Sequence, residues 1–274
     1  MVSQEQRRRQ LAREKFLRQQ QRRAAARRRA RVRNSVIASV LGVVVIGSLA
    51  LYTTGVLKNG DDDKANASAE ITPEAAATSK APDPCDKPAP GSVKQLSWKE
   101  EPEMTIDTSA DYTLKLATTC GEIDVALKAK AAPHTVNSFD FLAGKGYFDH
   151  TKCHRLTTSG IYVLQCGDPS GTGTGGPGYT LPDENLEDSS LKGNVYPAGT
   201  VAMANTGQKH TGGSQFFLVY QDSPLPPSYT PFGTVSEAGM KVLKKIADAG
   251  ENTGAGDGAP NATVVIDKAT VVKS

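Results

Sequence analysis

Hydrophobic and polar positions divide the chain into three regimes. Residues 36–57, VIASVLGVVVIGSLALYTTGVL, are almost wholly apolar and carry no charge. A helix of that length crosses about 30 Å of hydrocarbon, so a single transmembrane anchor is predicted over 34–57. Residues 58–103 are rich in Ala, Pro, Asp, Ser and Lys without apolar periodicity. That composition predicts a flexible, disordered linker. From 104 to 274 short apolar stretches recur between turn signals, which marks the folded domain.

Within that domain, residues 112–117 and 122–127 alternate around Thr-Thr-Cys-Gly, a hairpin signal. Residues 131–143 read as a helix, with Pro133 near its start, Val136, Phe139 and Leu142 on one face, and Gly144 at its end. A second hairpin follows, with arms 153–156 and 161–165 around Thr-Thr-Ser-Gly. A Gly-rich loop covers 171–178, and apolar strands follow at 200–204, 215–220 and 231–235. Residues 237–249 read as a second helix (Met240, Leu243, Ile246, Ala247), and 262–272 supply closing strands. About eight short strands with two helices predict a mainly β fold. The expected architecture is an eight-stranded antiparallel closed barrel capped by two α-helices, since closure removes exposed edges.

Charge sharpens the first regime. Residues 1–33 hold twelve Arg and Lys15 against Glu5 and Glu14, a net +11, whereas the whole chain is +3. Residues 34–274 therefore carry −8, the difference of the two. A basic arm before the apolar run and Asp61, Asp62 and Asp63 after it orient an anchor with its N-terminus in the cytoplasm and the domain outside. A cleaved signal peptide is the rival. Its apolar and basic regions are ordinarily shorter, and no small-residue cleavage site directly follows Leu57. The arm reads as a basic helix on anionic lipid, through residues 7–33, or as a solvated tail. Phe16 is its only aromatic residue, which argues against nucleic acid as a partner.

Several motifs fail on their context. GTGTGGPG lacks the Gly-Lys-Ser/Thr of a phosphate loop, and Gly213-Ser214 is followed by Phe where a nucleophile elbow needs Gly. Cys153, His154 and Cys166 lack a second closely spaced pair, so no metal is expected. Outside the cell, disulfides are the better use of four cysteines. Three full connectivities are open, and the two arms of one hairpin favour Cys153–Cys166. Asn66 and Asn261 head glycosylation sequons. Arg155 stands inside an otherwise apolar hairpin arm, so its guanidinium needs a structural partner or a ligand.

HRL…Q at 154–165, GDPSGTGTGGPGY at 167–179, VAMANTG at 201–207, GGSQFFLVY at 212–220 and PFGTV at 231–235 occur in this order. Together they resemble cyclophilin-type peptidyl-prolyl cis/trans isomerases over roughly 107–273. The Ser-Pro-Leu-Pro-Pro run at 223–227 is similar to bacterial, membrane-anchored members. The resemblance implies an eight-stranded barrel capped by two helices. Arg155 would be catalytic, donating to the prolyl nitrogen as the amide twists, with Gln165 orienting it. Ala204 and Asn205 would offer backbone groups to the peptide, and Gln215 would line the neighbouring groove. Tyr162, Val163, Phe217, Leu225 and Tyr229 would form the proline pocket, with Met203 close by. For Phe217 an ordinary core role is the alternative, and for Met203 core packing is favoured over contact.

Departures from the family pattern bear on these assignments. The turn between Arg155 and Gln165 is two residues longer than in the best-known cytosolic members, so Tyr162 and Val163 are open to a one-residue slip. Those members carry Trp at the position of Leu225 and His at that of Tyr229, which implies weak cyclosporin binding here. Residues 207–213 also carry one extra residue. The expected function is isomerisation of X–Pro bonds during folding of exported or cell-surface proteins. It would need no cofactor, act on proline-containing polypeptides and work as a monomer. The alternative is a proline-peptide binding module or holdase chaperone with incidental isomerase activity. The enzymatic reading would fail if Arg155 turned away from an apolar slot or were held in the interior by a carboxylate.

Overall fold

A computed structural model describes residues 82–274. The basic arm, the apolar span 34–57 and the linker up to residue 81 lie outside the described residues, as does Asn66. Among the described residues no helix is long and apolar enough to cross a membrane.

In chain order the elements are β1 (Tyr112–Thr118), β2 (Gly121–Leu127), α1 (Pro133–Gly144), β3 (Thr151–Lys152), β4 (Arg155–Thr157), β5 (Val163–Cys166), β6 (Val195–Tyr196), β7 (Thr200–Met203), β8 (Phe216–Val219), β9 (Ser223–Pro224), β10 (Pro231–Val235), α2 (Glu237–Asp248), β11 (Asp257–Gly258) and β12 (Val265–Lys273). Ten strands join one curled antiparallel sheet in the order β11-β4-β5-β8-β7-β10-β2-β1-β12-β3, and β6 pairs with β9.

The closed eight-stranded barrel is therefore corrected to an open, curled sheet. The chain itself explains the break. Lys152 pairs with Val265 and the Cys153 amide donates to Val264 O, whereas the His154 amide donates to Gln165 O and Arg155 pairs with Gln165. One continuous segment leaves one end of the sheet and joins the other, without a ladder between β3 and β4.

Two helices pack on the sheet. No side chain of its own N-cap residue caps α1. Instead the Glu184 carboxylate accepts the amides of His134 (3.0 Å) and Thr135 (2.9 Å), satisfying donors that a helix start leaves open. Val136, Phe139 and Leu142 are buried, and α1 packs against β12. In α2, Ser236 caps Gly239 N at 3.1 Å, and the helix lies on β2.

Residues 82–103 depart from the linker expectation. They form no helix or strand, yet they lie on the domain. Cys85 is disulfide-bonded to Cys120, the Asp86 amide donates to Thr119 O, and the Ala89 amide donates to Asp267 Oδ1. Leu96 and Trp98 pack against the main core. Order here comes from a covalent tie and two isolated apolar anchors, neither of which produces a sequence period.

Candidate active site

The strands that carry the site are buried on both sides. All four residues of β7 and all four of β8 are buried. Successive side chains point to opposite faces. Leu164, Cys166, Val201, Met203, Phe216 and Leu218 enter the main core. Val163, Ala202, Phe217 and Val219 face outward into a second, smaller cluster with Tyr196 and Leu191.

Register then builds the site. Arg155 on β4 is opposite Gln165 on β5, Gln165 is opposite Phe217 on β8, and Phe217 is opposite Ala202 on β7. Four outward residues thus stand in one row across four strands, each step about 4.8 Å. The row begins with a cation and ends in an apolar floor.

A cavity of about 220 Å³ opens over this row. Arg155 and Gln165 border it on one side, Ala204 and Asn205 on another, and Val163, Phe217, Leu225, Tyr229 and Ile161 supply apolar surface. The floor is aromatic. Phe217 meets Tyr229 edge-on at 5.5 Å between centroids, and Tyr196 lies 6.2 Å from each. Buried Tyr196 donates to Tyr229 O (2.7 Å) and accepts from Tyr229 N (3.1 Å), fixing that loop. Burial pushes the Tyr196 hydroxyl up to about 12, so it stays a neutral donor.

Arg155 is held by two partners. Asp257 takes Nε at 2.7 Å and Nη2 at 2.8 Å, and Gln165 Oε1 takes Nη1 at 3.2 Å. A guanidinium has five N–H groups, so one hydrogen on each terminal nitrogen is left for a ligand. The carboxylate sits at the surface, 54% exposed, and Arg155 lines the cavity. Hydrogen bonding to Arg155 holds the Asp257 carboxyl below its usual range despite partial burial. Asp257 lies 102 residues away in sequence, and no local pattern announces it.

Gln165 continues the network, donating through Nε2 to Gln215 Oε1 at 2.9 Å, while Gln215 Nε2 donates to Gly175 O. These glutamines border a second cavity of about 590 Å³, which the Gly-rich loop walls on its far side. Ala204 and Asn205 border both cavities. Asp168, fully buried, organises the loop by accepting the amides of Ser170, Thr172, Gly173 and Thr174 at 2.6–3.1 Å. Burial works to raise the Asp168 carboxyl, but the Ser170 hydroxyl and the loop amides outweigh it and hold it low.

One sequence assignment moves. Tyr162 does not line the smaller cavity; Ile161 does. Ile161, Val163 and Gln165 share one face, which turns Tyr162 to the other, where its ring meets Tyr220. Met203 packs in the main core, its favoured reading, rather than lining the slot, because Ala202 and Ala204 on either side face outward. Cys153 and Cys166 are disulfide-bonded, directly beside Arg155 and Gln165. Lys209 and His210, beside the extra residue, line neither cavity, although Thr206 and Thr211 of the same loop border the larger one. Asp183 accepts the His210 amide at 3.1 Å, and His210 Nδ1 accepts the Asp183 amide at 3.0 Å. Among the described residues no group of His, Cys, Asp and Glu is arranged to hold a metal.

The family model described as "Cyclophilin type peptidyl-prolyl cis-trans isomerase/CLD" matches residues 113–271, more than half of the chain. The chain belongs to the cyclophilin family. A Mycobacterium leprae "Probable peptidyl-prolyl cis-trans isomerase B" is 51% identical over 166 residues, 58% of this chain and 56% of that protein. This cyclophilin thus spans little more than half the length of that relative. A Bacillus subtilis "Peptidyl-prolyl cis-trans isomerase B" is 41% identical over 46% of this chain and 84% of its own. A crystal structure of a Cryptosporidium parvum cyclophilin type isomerase aligns with 60% of this chain and 99% of that one, at 24% identity and a TM-score of 0.48.

Proposed function

We propose that this cyclophilin isomerises X–Pro peptide bonds in exported polypeptides, using Arg155 as the catalytic donor. The observation that carries the reading is the in-register row in which a tethered guanidinium borders an apolar slot floored by Phe217. Amide resonance sets a barrier of about 18–20 kcal/mol, and unaided isomerisation takes tens to hundreds of seconds. No σ bond forms or breaks and no group is transferred, so the protein has only to favour the twisted amide over the planar one. Twisting returns a lone pair to the prolyl nitrogen. A fixed N–H of Arg155 aimed there gains a hydrogen bond that the planar state does not offer. The slot grips the ring, and Gln165 holds the guanidinium in plane.

We also place the domain on the outer side of a membrane, anchored by residues 36–57. The basic arm supports that orientation, and two disulfides among the described residues fit an oxidising compartment.

A protease-coupled assay on a proline-containing peptide, comparing the wild type with Arg155→Ala, tests the catalytic reading. A loss of about 100-fold or more is expected, the scale of removing one preorganised donor. Equal rates would leave only a proline-peptide binding module.

A further inference from the structure

The segment before the domain reaches the wall of the larger groove by two routes. In the first, the Trp98 amide donates to Pro177 O at 2.8 Å. The neighbouring Gly178 has φ +93° and lies so close that an added Cβ would collide with Ser97 Oγ and the Trp98 carbonyl. Pro177 and Gly178 both line the groove. In the second route the Trp98 ring packs against Phe141 at 5.0 Å and Tyr147 at 6.0 Å between centroids. The Tyr147 hydroxyl pairs with Ser214 Oγ at 3.0 Å, and Ser214 also lines the groove. Lys94 Nζ, donating to Lys145 O, and the Cys85–Cys120 disulfide both hold the segment upstream of this contact.

We propose that residues 94–98 are a specificity-determining support for the larger groove, fixing the wall on which the residues flanking a bound proline lie. This rests on the reading that the groove takes substrate polypeptide. The groove shares Gln165, Ala204 and Asn205 with the proline slot, so a chain leaving the slot on that side must run along it. A loop that is mostly glycine and threonine has little side-chain packing of its own. Asp168 ties it from within and Trp98 backs it from outside. Contacts to a short X–Pro peptide involve the slot alone, whereas contacts to a longer peptide also need the backed wall.

Trp98 is the sole tryptophan of the chain, so it reports on its own role. Two dye-labelled peptides sharing one X–Pro core, one short and one extended on both sides, are titrated into the full chain. Affinity is read by anisotropy and Trp98 emission is read in parallel. The long peptide at saturation shifts the emission and the short one does not. Trp98→Ala weakens the long peptide about fivefold, the scale of losing preorganisation in one loop, and leaves the short one unchanged; Trp98→Phe restores most of the loss. Equal effects on both peptides, or none on either, overturn the proposal. If Trp98→Ala does not fold, an unshifted wild-type emission with long peptide bound overturns it equally. Selective loss of long-peptide binding in a protein without turnover would refute the isomerase reading and leave this one standing. If neither peptide bound, both readings would be refuted.

Discussion

The Asp257 carboxylate grips the Arg155 guanidinium with both oxygens, at 2.7 and 2.8 Å. Both side chains are more than a third exposed, so the pair contributes about 0–1 kcal/mol to stability. Its effect is on aim. Asp257→Ala should lower kcat/KM about tenfold, mainly through kcat, with little change in Tm. Asp257→Asn, which keeps one acceptor, should lose less. Hydrogen bonding to Arg155 depresses the Asp257 carboxyl, so the pair persists above the ordinary carboxylate pKa of 3.8 and is lost only as pH falls through the lower folded value. Wild-type kcat/KM should therefore be flat between pH 5 and about 8. A fall centred near neutrality would contradict this.

His154 gives stability, rather than activity, its acid dependence. Both ring nitrogens are buried without a hydrogen-bond partner. Burial is the main cause that pushes the imidazole below 6.5, with Arg155 adding to it and Asp168 opposing it. The unfolded chain then binds the proton more readily than the folded one. Stability is full above pH 6.5 and declines between that value and the lower folded pKa. Chemical denaturation of His154→Phe between pH 7 and 5 should show a flatter slope than the wild type. Parallel slopes would assign the acid sensitivity elsewhere.

The Cys153–Cys166 bond closes a short loop that contains Arg155 and Gln165. In the chain-entropy account such a loop is worth about 3 kcal/mol. Cys153→Ser with Cys166→Ser should lower the denaturation midpoint accordingly. It should also reduce kcat/KM at temperatures where the fold is intact, because the arms that align the two side chains are freed. An unchanged midpoint would show that the ladder alone sets the hairpin.

Leu225 and Tyr229 border the slot where the best-known cytosolic cyclophilins carry Trp and His. Weak cyclosporin inhibition is expected, with substrate turnover retained. Leu225→Trp should tighten inhibition by restoring an apolar face and an N–H donor. Tight inhibition of the unmodified protein would show that the indole is dispensable in this slot.

What could be read from the chain alone follows the range of the interactions involved. The strand at 231–235 and the helix beginning at Glu237 are legible because a short apolar stretch and the spacing of Met240, Leu243 and Ile246 are local signals. The parity of Tyr162 was not. Thr157 to Ile161 forms an irregular turn with a Ser159–Ile161 bridge, and the longer turn decides which residue enters the slot. Sheet closure depends on how residues 152–155 change partners, which no periodicity encodes. Asp257, Tyr196 and Trp98 act on residues far away in sequence, so each looks like an ordinary surface or core residue until the chain is folded.

The strands β5, β7 and β8 give one set of side chains to the interior and the alternate set to the slot. Mutation can therefore explore the two sets separately. Changes at Ile161, Leu225 or Tyr229 alter which ligands are welcome while leaving the interior jigsaw untouched. A lineage with this scaffold can shift its clientele without first having to repair its fold.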